Sequence, residues 1–304
     1  MKKSILNAAR VASALAVCFT SVSHAQEAPA DAGAEAPASA PAAAQHGQPT
    51  NWNDTFVGAR YSSNFRFPGS AEKVTQKIGS LTTIGGFKYG NYVFNVDYLV
   101  SDGANPEAGG TKGAQETYSV GHVEFTAGKT LGHTLGFGPV RDVGLTAGYE
   151  FGSKNDAFDQ RARMLMVGPT LEFAVPRGFW VLTAGWRTEK NYNGIVHADL
   201  DYKTAWHVES AWMIPFNLGP APVVFKGFVA ITGPKGTDGF HVQTKTETLS
   251  RSSLLFDVGA LAGSPRTVYI GPGYEYWKNM FGTPSFEAPG TKRSAAVLVG
   301  EIHF

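Results

Sequence analysis

The amino-acid sequence predicts an all-β protein whose antiparallel strands, about 12 in number, close into a transmembrane β-barrel. Three observations predict it. Apolar and polar residues alternate in segments of about ten residues, which is the period of a β-strand facing two environments. The links between these segments are alternately short and long, and the last segment ends on an aromatic residue.

The composition narrows the class of protein. The chain has 304 residues, of which 43% are hydrophobic and 17% charged, with 36 Gly, 20 Phe, 11 Tyr, 6 Trp and 1 Cys. These values exclude a coiled coil, a disordered chain and a small disulfide scaffold. Because 26 basic and 25 acidic residues give a net charge of +1, no global electrostatic argument supports a nucleic-acid partner.

Residues 1–25 have the pattern of a secretory signal peptide. Basic residues precede an apolar run over 11–19 and small residues that end at Ala25, where we expect cleavage. The run is too short for a membrane-spanning helix. A lipoprotein anchored at Cys18 is the alternative, since residues 15–18 resemble a lipobox. Cleavage after Ala25 would leave no cysteine, and therefore no disulfide and no thiolate metal site.

Residues 26–50 predict a disordered periplasmic linker. The stretch consists almost wholly of Ala, Pro, Gly and short polar residues. Such a segment cannot bury enough apolar area to offset the entropy cost of ordering it. We therefore expect the outer-membrane β-barrel to cover residues 51–304.

From residue 51 onward the segments alternate with a period of two. In residues 91–101 the apolar side chains share one face and the polar ones the other, and 142–151, 179–190 and 201–214 repeat the pattern. Aromatic residues near strand ends with aliphatic ones between them are typical of a lipid-facing wall. The predicted strands are 54–66, 74–87, 91–101, 115–128, 142–152, 161–175, 179–190, 201–214, 223–232, 249–262, 266–278 and 292–304.

The links support the same fold. Tight turns at 88–91, 176–178 and 263–266 follow even-numbered strands, whereas long polar links follow odd-numbered ones. Residues 129–141 and 215–222 are the exceptions, because they predict long links on the short side. Short periplasmic turns opposite long extracellular loops are typical of bacterial outer-membrane barrels.

The last strand distinguishes a membrane barrel from a secreted soluble β-sandwich or soluble barrel, which also alternates. Leu298, Gly300, Ile302 and the terminal Phe304 share one face. A terminal aromatic residue on the lipid face is the usual assembly signal of bacterial outer-membrane barrels, and we assign that role to Phe304. We therefore expect Sec export and an outer-membrane location in a Gram-negative cell.

The start of the first strand (residues 52–61 and 65–69), the Gly138-Pro139 turn, residues 273–279 and Phe304 carry a family resemblance. Together they resemble the nucleoside-specific channel-forming porins of the outer membrane, the Tsx-type family, over residues 51–304. The resemblance implies a monomeric twelve-stranded barrel with a narrow lumen that takes up nucleosides. No site residue is carried over from that family.

The inward faces of the predicted strands supply charged and aromatic side chains to the lumen. Aromatic rings can stack a nucleoside base, worth about 1–3 kcal/mol per base, and polar groups can bind the ribose hydroxyls. Most inward charges are expected to pair with one another, because unpaired buried charges are costly. An excess of acids predicts that phosphorylated nucleotides pass poorly. The candidate solute-binding residues are Phe56, Arg60, Arg66, Arg187, Glu189, Tyr269, Glu275 and Trp277.

Enzyme motifs are missing from the sequence. It has no Gly-x-Ser-x-Gly and no His-Glu-x-x-His, and His122 and His207 are interpreted as lumen hydrogen-bonding groups. We therefore predict a non-enzymatic channel without cofactor or metal, whose partners are nucleosides or similar small polar solutes, outer-membrane lipid, lipopolysaccharide and the barrel-assembly machinery. The alternatives are a closed structural, adhesive or receptor barrel and an outer-membrane phospholipase.

Overall fold

The computed structural model describes residues 51–304, so the predicted signal peptide, its cleavage site at Ala25 and the linker over 26–50 lie outside the described residues. The described part is mainly β-sheet and contains almost no helix. Its strands are β1 (Trp52–Phe65), β2 (Val74–Phe87), β3 (Gly90–Ser101), β4 (Gln115–Thr126), β5 (Val140–Lys154), β6 (Arg161–Phe173), β7 (Phe179–Asn193), β8 (Ala198–Asp201), β9 (Ala205–Leu218), β10 (Ala221–Thr232), β11 (Glu247–Asp257), β12 (Val268–Lys278) and β13 (Lys292–His303).

Twelve of these strands close into one antiparallel barrel, as predicted. Each pairs with its neighbour along the chain, β13 pairs with β1, and β7 pairs with both β6 and β9. The short strand β8 pairs only with the outer end of β7 and extends a hairpin beyond the wall. Because every one of the twelve barrel strands has two partners, the wall of the barrel has no free edge.

Helical structure is confined to the links. One five-residue α-helix, α1 (Ala127–Leu131), follows β4, and two short 3-10 turns cover Ala260–Ala262 and Met280–Gly282. Within residues 51–304 no helix is both long enough and apolar enough to span a membrane.

The two ends of the barrel differ in their links. The near end, which holds Trp52 and Phe304, has the links 88–89, 127–139, 174–178, 219–220 and 258–267. The far end has the links 66–73, 102–114, 155–160, 194–204, 233–246 and 279–291. Two of the near-end links are only two residues long, as the predicted asymmetry requires. The links 127–139 and 258–267 are as long as those of the far end, so the predicted tight turn at 263–266 is wrong.

Three predicted boundaries are wrong. The predicted long link 215–222 is a two-residue turn, because β9 continues to Leu218. The predicted strand 201–214 instead covers Ala205–Leu218, and residues 198–201 within and beside the predicted loop form β8. The predicted strand 249–262 ends at Asp257, where the side chain accepts the Ala260 N–H and starts the 3-10 turn.

The alternation of the sequence sorts side chains between the outside and the inside of the wall. Large apolar side chains face outward on every part of the barrel, including Phe94, Leu145, Leu165, Trp186 and Leu298. Inside, one apolar cluster against β1, β2 and β11–β13 contains Phe65, Phe67, Val74, Ile78, Leu255, Tyr269, Ala295, Val297 and Val299. Most of the remaining lumen is lined by ionisable and hydroxyl groups.

Candidate functional site

The lumen contains a central polar cluster, which we define as Tyr118, His122, Glu150, Arg187, His207 and Glu209. The alternation of β4, β5, β7 and β9 turns all six side chains inward. The Tyr118 hydroxyl donates to Glu150. Arg187 Nη1 lies 3.6 Å from Glu150 Oε1 and donates to Thr232 Oγ1 at 3.2 Å.

The central polar cluster crosses the lumen. His122 Nδ1 on β4 lies 3.7 Å from Glu209 Oε1 on β9, although β5, β6 and β7 separate these strands around the wall. His207 Nδ1 shares a hydrogen bond of 2.9 Å with Thr232 Oγ1, and its Nε2 lies 3.7 Å from Glu209 Oε2. Both histidines therefore face the same carboxylate without a hydrogen bond to it, since 3.7 Å exceeds hydrogen-bond distance.

Three buried nitrogen atoms of this cluster have no hydrogen-bond partner among the described residues. They are His122 Nε2, His207 Nε2 and Arg187 Nε. Buried polar groups are nearly always hydrogen-bonded, and leaving one unpaired costs about 1–3 kcal/mol. The cluster therefore holds unpaired donors or acceptors where side chains of β4 and β9 meet across the lumen.

An arginine-rich cluster lies on the adjacent side of the lumen and consists of Arg60, Asp97, Arg251, Glu275 and Arg293. Arg60 donates to Asp97. Glu275, only 1% exposed, accepts from Arg251 Nε at 2.9 Å and from Arg293 Nη1 at 2.5 Å. Each buried acid is thereby balanced by at least one guanidinium, which a desolvated carboxylate requires.

The near end of the lumen carries an aromatic and charged cluster, the near-mouth cluster, made of Asp54, Phe56, Lys226, Tyr269, Glu301 and His303. Phe56 stacks on the His303 ring at 4.4 Å between centroids, and Tyr269 meets the same ring edge-on at 5.0 Å. Lys226 Nζ donates to Glu301 at 2.6 Å and lies 4.3 Å from the centre of the Phe56 ring.

Residues of the α1 link line the rest of the near end. Lys129 Nζ donates to the Gly90 carbonyl at 2.8 Å and to Asn91 Oδ1 at 3.0 Å. Burial lowers the pKa of Lys129, although the acidic Glu172 and Glu124 nearby act in the opposite direction. The lysine therefore helps to hold the link against β3.

The far end is narrowed by the first loop, residues 66–73. Phe67, 8% exposed, packs between the Lys154 ammonium at 3.9 Å and the Arg293 guanidinium at 4.6 Å. The Gly69 N–H donates to the Pro289 carbonyl at 3.0 Å and ties this loop to the last one. The Phe67 ring thus lies across part of the far mouth.

A second contact narrows the far end from the opposite wall. Lys235 Nζ donates to Glu189 Oε2 at 2.5 Å and lies 4.4 Å from the Tyr202 ring centre. Burial raises the pKa of Tyr202, and the charge of Glu189 raises it further. The Tyr202 hydroxyl therefore stays protonated and able to donate.

The predicted solute-binding residues fall into different parts of this lumen. Phe56 and Tyr269 meet in the near-mouth cluster, Arg60 and Glu275 lie in the arginine-rich cluster, and Arg187 lies in the central polar cluster. Glu189 and Trp277 lie toward the far end, where the Trp277 Nε1 donates to Glu247 at 2.8 Å. Arg66 is apart from all of them, because it lies beyond β1 and lines a cavity at the far rim.

Several inward groups were absent from the predicted set. Arg251, Arg293 and Lys226 all occupy inward positions of the alternation, so strict counting along β10, β11 and β13 would have found them. Lys235 lies in a loop and carries no periodic signal. Among residues 51–304 no group of three or more His, Cys, Asp or Glu side chains could hold a metal ion.

Comparisons with known proteins give no family. No protein-family model and no curated protein matches the chain. Among solved structures, an outer membrane channel from Pseudomonas putida F1 aligns at a TM-score of 0.46 with 10% identity, covering 85% of this chain and 97% of that one.

Two further solved structures are similar at a comparable level. The translocator domain of the autotransporter NalP from Neisseria meningitidis has a TM-score of 0.44 and 11% identity, covering 85% of this chain and 90% of that one. The KdgM porin has a TM-score of 0.38 and 7% identity over 82% of this chain and 99% of that one.

Proposed function

We propose that the protein is a non-enzymatic outer-membrane channel for the passive uptake of nucleosides or similar small polar solutes. The observation that carries the proposal is the central polar cluster, in which His122 Nε2, His207 Nε2 and Arg187 Nε are buried without a protein partner. A barrel that served only as a packed structural wall would gain stability by filling these positions with apolar side chains. These nitrogen atoms expose almost no surface, so a solute that supplies the missing hydrogen bonds must first displace the side chains around them.

The outer face of the barrel supports the membrane location. Outward side chains such as Trp186, 63% exposed, and Leu298 would be in water if the protein were soluble, and no second sheet covers them. A closed barrel satisfies every strand within its own sheet, which is the condition for crossing lipid with strands. We expect the detergent-extracted protein to migrate faster on a gel before boiling than after, and failure to extract with the outer membrane would refute the location.

The near-mouth cluster supports the solute class. Phe56 and Tyr269 are 5% and 8% exposed, so a base can stack on them only by displacing the His303 ring or the Lys226 ammonium, beside carboxylates of Asp54 and Glu301 that can accept from ribose hydroxyls. A base that stacks there gains about 1–3 kcal/mol. The acids of the lumen repel a phosphate, so adenosine is expected to enter liposomes faster than AMP. Equal swelling rates would contradict this selectivity.

Planar-bilayer recording tests the channel itself. We expect small conductance steps that adenosine blocks, because the lumen is narrow and lined with hydrogen-bonding groups. Arg187→Met removes a central partner for the solute and is expected to weaken the block several-fold. An unchanged block would place the solute site elsewhere.

The closed barrel is the second candidate function, and Phe67 favours it because its ring lies between Lys154 and Arg293 at the far mouth. The conductance of a Phe67→Ala variant distinguishes the closed barrel from the channel. For a channel narrowed by this ring, the variant should conduct more than the wild type, whereas Phe286→Ala, which changes an 80% exposed far-end ring, should not. If neither the wild type nor Phe67→Ala conducts, the barrel is closed.

A further inference from the structure

A basic cavity lies on the outer side of the barrel at the far end. Its volume is about 470 Å³, and its lining is Asn64, Arg66, Lys73, Ser285, Gly290, Lys292 and Ser294. Three of these residues are cationic and none is acidic. Lys292 and Ser294 are outward positions of β13, and Lys73 immediately precedes β2, so the cavity opens to the surroundings of the wall and not to the lumen.

The cations of this cavity lack acidic partners. In the described part of the chain, neither Arg66, Lys73 nor Lys292 has a carboxylate oxygen within 4.0 Å. Lys292 is also directly opposite Lys278 on the neighbouring strand. Like charges in directly opposite positions destabilise a sheet, so an anion between them would relieve the repulsion.

A second basic cavity at the far rim provides the contrast. It is lined by Arg161, Arg163 and Lys190 together with Asp199 and Asp201. There Lys190 Nζ pairs with Asp201 at 2.7 Å, and Arg161 pairs with Asp159 at 2.5 Å. In this second cavity two of the three cations pair with acids of the protein, whereas none of the three cations of the first cavity does within the described residues.

The donors of the acid-free cavity suit phosphate. Arg66 Nη1 donates to the Ala71 carbonyl at 2.9 Å, and the other N–H groups of the guanidinium can donate to an anion. An arginine fork and two lysine ammonium groups are the usual partners of phosphate oxygens. Below the cavity, toward the near end, the wall presents Tyr61, Tyr274 and Leu298, all exposed and suited to acyl chains.

We propose that this cavity binds the phosphate groups of a lipopolysaccharide molecule in the outer leaflet. The inference rests on the proposed outer-membrane location, in which the far end with its longer loops faces outward. The headgroup phosphates then lie at the level of Arg66, Lys73 and Lys292, and the acyl chains run along the apolar wall beneath them. A lipid held there would fix part of the annular layer to one side of the barrel.

Native mass spectrometry of the detergent-extracted full chain tests the site. The probes are lipid A with two phosphates, the same lipid without phosphate, and inorganic phosphate as a competitor. We expect lipid A to be retained in preference to its phosphate-free form. Lys73→Gln/Lys292→Gln should weaken retention by about tenfold or more, because two charged partners of the phosphates are lost. The matched variant Arg163→Gln/Lys190→Gln should retain the lipid as the wild type does.

The outcomes separate this proposal from the channel. Equal retention by Lys73→Gln/Lys292→Gln and the wild type, or equal retention of both lipids, overturns the site. Full displacement by millimolar inorganic phosphate assigns the cavity to free phosphate and overturns the lipid as its source. Heat-modifiable migration verifies that each variant is folded. Since the measurement involves no solute flux, a barrel that conducts nothing can still bind lipid A, and a conducting one can fail to.

Discussion

Glu275 is a buried carboxylate of the lumen that accepts hydrogen bonds from two arginines. Two guanidinium groups, those of Arg251 and Arg293, donate to its two oxygens, while its own side chain is almost inaccessible. A buried ion pair contributes little over an apolar pair of the same shape, but the loss of one partner is costly because the other charge stays buried. Glu275 is therefore a better probe of the lumen than any exposed charge.

Glu275→Gln is expected to lower the free energy of unfolding by about 3 kcal/mol or more, because Arg251 and Arg293 lose their buried counter-charge. Urea titration of the barrel in lipid vesicles, followed by tryptophan fluorescence, measures the change. The control is Asp201→Asn in the pair with Lys190, whose side chains are 70% and 71% exposed. An exposed pair is worth about 1 kcal/mol or less, so equal losses in the two variants would contradict the argument.

Alternation predicts the direction of single side chains but not their partners. The inward direction of Asp97, Glu150 and Glu209 follows from the period of two and agrees with the structure. The contact between His122 and Glu209 does not follow, because it joins strands that are not neighbours and depends on the curvature of the whole wall. The sequence therefore predicts which residues face the lumen, but only the closed barrel shows which of them contact one another.

At the scale of the element, the strands were predicted closely and the largest error concerns β9. The predicted strand stops at Ile214, directly before Pro215, which lacks an N–H for the ladder. In the structure β9 continues to Leu218, since β7 starts opposite Met213 and Pro215 pairs only with β10. Residues 215–218 pair with β10 alone, so the missing N–H of Pro215 leaves no hydrogen bond to β7 unmade. The sequence cannot predict this, because it depends on where β7 begins.

The pairing of β6 with β7 leaves no space for a side chain at Gly168. A Cβ atom there would lie 2.5 Å from the Ala184 carbonyl oxygen, which belongs to the backbone and cannot turn away. Gly168→Ala is therefore expected to destabilise the folded barrel by about 1–3 kcal/mol. The fraction of heat-modifiable protein across a urea series measures it.

Gly79→Ala is the matched control for Gly168→Ala. Gly79 is also a strand glycine, but a Cβ atom there meets nothing within 4 Å. We expect Gly79→Ala to be neutral or slightly stabilising, by about 0.5 kcal/mol, because alanine loses less backbone entropy on folding. Similar destabilisation by both substitutions would show that the close approach of β6 and β7 does not matter.

At the scale of the whole molecule, Phe304 separates assembly from stability. Its ring is 70% exposed on the outer face, while its N–H donates to the Thr55 carbonyl at 3.0 Å. Phe304→Ala should therefore change the unfolding free energy of refolded protein by about 0.5 kcal/mol or less. The amount of folded barrel in cell membranes should nevertheless fall several-fold if Phe304 is the assembly signal.

Membrane fractionation with heat-modifiable gel migration measures that amount. Phe286→Ala, at a similarly exposed phenylalanine in the last far-end loop, serves as the control and should assemble normally. Unchanged yield of Phe304→Ala would refute the assembly role, and an equal loss with Phe286→Ala would attribute the effect to exposed aromatic area in general.

The seam between β1 and β13 determines when the barrel can close during folding. Phe56 is paired with His303, so the ladder that seals the wall joins residues from opposite ends of the described chain. Pairings of such long sequence separation are the slowest to form. Until the seam closes, β1 and β13 each expose unpaired backbone N–H and C=O groups that can pair with strands of other chains. The time from synthesis to sealing is thus the period in which this chain is most at risk of aggregation.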